Sequence, residues 1–273
     1  MAGTYTHLQF MRDLQKKIKF GENSELLVLS GQGHDLLFFI KLRDLKNFAN
    51  RKKMMEKVAA NRFKDTVIAW QKEYLKSANE ELKIMLYGYI AHHVLDSYIH
   101  PWIKSKCEGK LVIERNNKWD KDERHVILES ALDMLVMDPY KYKINKFKLK
   151  DETKKSINEI FNQVYGISNI GYYMSQGLSN MRGFIWLYRL DRLGIKKVFY
   201  QIIDKFRKDK QKYRFLAFNY SKKDLRLLDA TYFLEFQKLY KGALSRASLI
   251  ILEIEESLAH KKIAEIQFDK SAI

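Results

Sequence analysis

Leu86 to Trp102 read LYGYIAHHVLDSYIHPW, an apolar run interrupted by His92, His93, Asp96 and His100. His92 and Asp96 are four apart, as are Asp96 and His100, and residues four apart lie on one face of a helix. Ile90, Val94, Leu95 and Ile99 fill the intervening positions and would press that face into a core. Imidazole and carboxylate are ordinary ligands for zinc and similar divalent ions. The bland alternative is a set of polar side chains satisfied by hydrogen bonds inside a bundle. Three of the chain's seven histidines fall in this one stretch, and buried ionisable groups need partners. At about 1.5 Å rise per residue, His92 and His100 sit roughly 12 Å apart along an intact helix, too far to share one ion. Asp96 could serve either or bridge, so the spacing suggests two ions or more.

The remaining composition suits long helices. Only 2 prolines and 12 glycines occur in 273 residues, which disfavours a turn-rich β fold. A chain of this length can bury a full core. We expect one all-α domain over residues 1–273, with a metal-site half to about 140 and supporting helices over about 150–265. The formal charge is +17, from 50 Lys and Arg against 33 Asp and Glu. That balance attracts anions such as phospholipid surfaces, nucleic acid or phosphorylated substrates. The lone Cys107 excludes an internal disulfide and suits a reducing compartment. No run of about 18 apolar residues could span a bilayer, and the first residues lack a secretory apolar core. The expected location is cytoplasmic.

Outward from the central stretch, further ligand-type residues recur. Thr4 or Thr6 can cap a first helix to about Phe20, with His7 in its first turn. Gly31-Gln32-Gly33-His34-Asp35 marks a tight bend between two apolar segments and could present the Asp35 carboxylate. A helix is expected over about 54–76, then the central one from about Asn79 to Pro101, with Pro101 ending or kinking it. Residues 104–121 read as an exposed loop. His125, Glu129 and Asp133 again step by four, with Leu128, Leu132, Leu135 and Val136 on the buried sides. A histidine and glutamate so spaced form a helical metal clip; a salt-bridged face is the alternative. Beyond residue 150, apolar helices (157–165, 171–193, 196–206, 232–258) alternate with basic loops, among them Lys205–Arg214. Their aromatics, Tyr172, Tyr173, Phe236 and Tyr240 among them, read as core. His260 reads as an exposed helix end and His93 as a packing or outer residue.

The order of these pieces resembles the zinc-dependent phospholipase C family, in particular its short, single-domain bacterial members. The resemblance rests on His7, the bend at Asp35, Tyr87-Gly88-Tyr89-Ile90-x-His92-x-x-x-Asp96, His100-Pro101 and His125-x-x-x-Glu129. It spans roughly residues 4–139. A looser likeness over 234–251 matches a C-terminal helix of the family. The resemblance implies an all-α bundle shared with single-strand nucleases, holding three zinc ions in a cleft. Carried over, His92, Asp96 and Asp35 would bind one ion and His100, His125 and Glu129 a second. His7 would bind a third, with Asp96 bridging and Asp35 a candidate general base. His93 and Asp133 would be outer partners.

The chain departs from the family at three points. His34 stands where the family has proline. No histidine lies between His34 and His92 where the family supplies a ligand, and aligning on Phe63 puts Glu56 there. Secreted members also use a processed N-terminal tryptophan, whereas this sequence opens Met1-Ala2. Two or three zinc ions are therefore expected. The implied activity is hydrolysis of a phospholipid head-group phosphodiester by zinc-activated water. The alternatives are a zinc nuclease or nucleotidase, and a catalytically weakened metal-stabilised module that docks on anionic membranes.

Overall fold

The computed structural model describes residues 3–18, 24–39, 54, 58, 62–108, 121–136, 146–189 and 230–266. The fold is all-α, and no strand occurs among the described residues. In chain order the elements are α1 (Thr4–Ile18), α2 (Ser24–Ser30), a 3-10 segment (Gly33–Phe39) and α3 (Phe63–Ser77). They continue with α4 (Glu80–Cys107), α5 (Lys121–Val136), α6 (Asp151–Tyr165), α7 (Ile170–Arg189) and α8 (Ala230–Ala259).

Helix α4 is the axle. Leu82, Met85, Leu86, Ile90, Val94, Leu95, Ile99 and Ile103 are all buried along its length. An apolar surface on every side is what a helix needs when neighbours surround it. Here α1, α2, the 3-10 segment, α3, α5, α6 and α8 all pack against it. Its start is fixed by Asn79, whose Oδ1 accepts from the Leu82 N–H at 3.2 Å, with Glu80 and Glu81 complementing the positive end of the helix dipole. Helix α7 covers the 3-10 segment, and Asn180 Nδ2 donates to Phe39 O at 2.9 Å. The supporting helices thus join the same hydrophobic core as the ligand-bearing ones.

Three boundaries differ from the sequence reading. Pro101 neither ends nor breaks α4, which runs on to Cys107. The ring removes one backbone donor, but the turns beyond it are held by tertiary packing. Ile103 and Cys107 are fully buried, and Trp102 Nε1 donates to Glu235 of α8 at 2.6 Å. The first residues of the expected 104–121 loop are therefore helical, and 109–120 lie outside the described residues. Of the helix expected over 54–76, Met54 and Val58 are helical, 55–57 and 59–61 lie outside the described residues, and α3 begins at Phe63 after Arg62, whose backbone is non-helical (φ −111°, ψ 33°). Of the aromatics expected in the core, Phe236 is buried and Tyr173 and Tyr240 partly so, but Tyr172 is exposed. The 196–206 helix and the 205–214 basic run lie outside the described residues. His260 is exposed at the end of α8, as expected. No described helix is long and apolar enough to cross a membrane.

Candidate metal centre

Asp96, on the fifth turn of α4, is the hub of the charged interior. Its Oδ1 lies 3.2 Å from His7 Nε2 and 3.5 Å from His100 Nε2, and its Oδ2 lies 3.4 Å from His92 Nε2. The i,i+4 register of α4 delivers His92 and His100 to opposite ends of this one carboxylate, while α1 brings His7 from the side. The His7 and His92 rings stack at 4.3 Å between centroids. On the far side of His100, Glu129 Oε1 is 3.6 Å from His100 Nε2 and 2.8 Å from His125 Nε2. The clip read from His125 and Glu129 in α5 therefore faces the clip read from α4.

The third approach comes from the bend. Gly33 has φ +51°, a left-handed conformation that favours glycine, and a Cβ there would stand 2.7 Å from the His92 ring. The turn is thereby pressed onto His92, whose Nδ1 donates to Gly31 O at 3.2 Å. A carbonyl can only accept, so the ring is fixed with its lone pair on Nε2, the nitrogen that faces Asp96. Asp35 is buried beside it at the start of the 3-10 segment.

Position along the chain explains how α1 is held. Asp133 of α5 accepts from the Tyr5 N–H (3.1 Å), the Thr6 N–H (2.7 Å) and Thr6 Oγ1 (2.7 Å). It caps the exposed donors of the first turn of α1, one residue before His7. Asp133 thus orients a ligand-type residue through the backbone of α1. His93 instead stacks on Phe63 at 3.7 Å between ring centroids.

The protonation states of Asp96, His92 and His100 suit ligation. Burial would push Asp96 up, but the surrounding imidazoles of His92, His7 and His100 hold it well below its ordinary value, so it stays ionised. Burial drives His92 well down and His100 to about 4, keeping both rings neutral. His7 goes the other way: burial opposes its charge, yet Asp96, Asp35 and Asp133 outweigh it. Burial also pushes Asp35 up to about 6 and Glu129 well above its usual range. Two acidic groups reluctant to ionise beside a fixed anion describe a cluster short of positive charge.

Unpaired atoms say the same. His7 Nδ1 and Nε2, His92 Nε2, His100 Nε2, Asp96 Oδ1 and Asp35 Oδ2 are buried and have no hydrogen-bond partner among the described residues. Each such group costs about 1–3 kcal/mol, and a cation among them would satisfy several at once. Three groups of side chains could each hold an ion: His7 with His92 and Asp96, His34 with Asp35 and His92, and His100 with His125 and Glu129. The donor set fits zinc or a similar ion. His7, Asp35, His92, Asp96, His100, His125 and Glu129 are therefore brought together, whereas Glu56 lies outside the described residues. The sequence reading gave His34 no role, since its place beside His92 depends on how the bend at Gly33 packs. The cluster is buried at His7, Asp35 and His92 and opens toward solvent at His34, His100 and His125.

Comparison of the chain with protein-family models, with curated proteins and with solved structures finds no match.

Proposed function

We propose that this chain is a metal-dependent phosphodiester hydrolase of the phospholipase C kind. The observation that carries this reading is the convergence of His7, His92 and His100 on the ionised Asp96, with their inward nitrogens lacking hydrogen-bond partners among the described residues. The order of the ligand-type residues along the chain supports the phospholipase C choice, and the +17 charge suits an anionic substrate. His92, Asp96, His7 and Asp35 would hold metal on one side, and His100, His125 and Glu129 on the other. Divalent ions bound there would lower the pKa of a coordinated water toward about 7 and offset charge on phosphoryl oxygens.

The chain's own groups would handle the proton. Asp35, buried beside His92 at the bend, is the carboxylate placed to act as the base. It would take the proton from the attacking water as the new P–O bond forms. It would return that proton to the glycerol alkoxide as the old P–O bond breaks. The products are diacylglycerol and a phosphorylated head group. Asp133 would keep His7 in register through α1.

The test compares zinc-loaded protein on phosphatidylcholine vesicles and on single-stranded DNA. Release of diacylglycerol without nucleotide release is expected, with both metal and activity lost in His92→Ala and Asp96→Ala. Turnover of DNA alone would make the protein a nuclease. Full activity with normal metal content in either variant would overturn the site.

A further inference from the structure

The metal reading leaves one side chain of the cluster without a task. His34 follows the left-handed Gly33, and its ring stands edge-on to that of His92 with centroids 4.8 Å apart. Its Nε2 is 3.9 Å from Asp35 Oδ1, beyond a hydrogen bond. His34, Asp35 and His92 each offer one ligand atom, and these atoms all lie within 4.8 Å of one another. Two of the three are committed to the cluster interior: the Asp35 Oδ2 and His92 Nε2 atoms are buried without a hydrogen-bond partner among the described residues. Because Nδ1 of His92 is tied to Gly31 O, the turn bearing His34 and the ring it approaches are fixed to each other by the backbone. His34 itself is only partly buried, at the edge of the cluster where it opens toward solvent.

We infer that His34 is a metal ligand in this chain, binding one ion together with Asp35 and His92. This rests on the metal-cluster reading above and adds a donor to it. With His92 and Asp35 already assigned to metal on that side, His34 would add a second ring nitrogen from the bend to a donor set of the kind zinc takes. Glu56, the carboxylate singled out in the sequence, is the rival donor. An uncoordinated His34 would instead be a solvated ring beside Asp35, and its loss would leave metal binding intact.

The test is a zinc titration of metal-free full-length protein and of His34→Ala, His34→Asn and Glu56→Ala. Bound ions per chain are counted by native mass spectrometry, and the visible absorption of the cobalt-substituted protein reports the ligand set. Wild type should hold at least two ions. Both His34 variants should keep their helical circular dichroism, lose one ion or bind it more than about 100-fold more weakly, and change the cobalt spectrum. That exceeds the about 10–100-fold expected from losing an outer partner. Glu56→Ala should keep the full complement. Wild-type stoichiometry, affinity and cobalt spectrum in the His34 variants would overturn the assignment while leaving the cluster standing. So would loss of the ion in Glu56→Ala but not in the His34 variants. A wild type that binds no zinc would overturn the cluster and this ligand together.

Discussion

Two glycines with a left-handed φ allow the packing of the bend against His92 to be measured. Gly33 has φ +51° and Gly166, after α6, has φ +64°. An alanine at either position meets the left-handed penalty of about 1–2 kcal/mol. It also restricts the unfolded chain, which returns about 0.4–1 kcal/mol. At Gly166 a Cβ would meet nothing within 4 Å, and the N–H to Asn162 O bond of 2.9 Å is kept. Gly166→Ala should therefore cost about 1 kcal/mol, the backbone effect alone. At Gly33 the same Cβ would lie 2.7 Å from the His92 ring. His92 is almost fully buried, so it cannot swing into solvent, and any shift breaks its 3.2 Å bond to Gly31 O. An unsatisfied buried group adds about 1–3 kcal/mol, and Gly33→Ala should cost about 2–4 kcal/mol in all. Urea unfolding in the presence of a chelator, followed by circular dichroism, reads both variants without any contribution from metal. Agreement between them to within about 0.5 kcal/mol would refute the claim that the bend is seated on His92.

Two other substitutions address the helices that carry the cluster. In Asp133→Asn the amide oxygen can still accept from Thr6, but its NH2 then faces the Tyr5 N–H where an acceptor stood at 3.1 Å. The cost should be about 1–3 kcal/mol in urea unfolding, accompanied by weaker zinc affinity as α1 loosens; wild-type values of both would show that Asp133 does not hold α1. His93, stacked on Phe63, has its ring pushed down to about 4 by burial. Between about pH 4 and 6.5 the unfolded chain binds a proton there that the folded chain refuses, so this residue adds stability as pH rises and loses it as pH falls. Wild type should therefore gain on His93→Phe, which keeps a ring against Phe63 but cannot titrate, by about 3 kcal/mol across that window. Parallel pH profiles for the two proteins would contradict a buried neutral His93.

What could be read from the sequence is what depends on helical period alone. The four-residue steps from His92 through Asp96 to His100, and from His125 to Glu129, need only the local helix to put each set on one face, and both sets meet in the interior. The apolar surround of α4 likewise announced a central helix. What stayed hidden depends on packing and partners that no period encodes. Pro101 looked terminal because its local cost is visible, while what outweighs it is tertiary: Ile103 and Cys107 are buried, and the Trp102–Glu235 bond reaches α8, over 120 residues away. The grip of Asp133 on Tyr5 and Thr6 spans a separation of 127–128 residues. His34 is the sharpest case. Helical period says nothing of where a bend lands, and the left-handed Gly33 lets this one seat against His92 with His34 edge-on to the same ring. A paired-glycine bend beside an acidic residue signals a turn without telling what it packs against. The cluster thus combines ligand-type residues set by helix register with one whose place is set by a turn. That division gives the glycine comparison its force: Gly33→Ala should disturb the turn-borne side while leaving the α4–α5 pair of His100 and Glu129 in place.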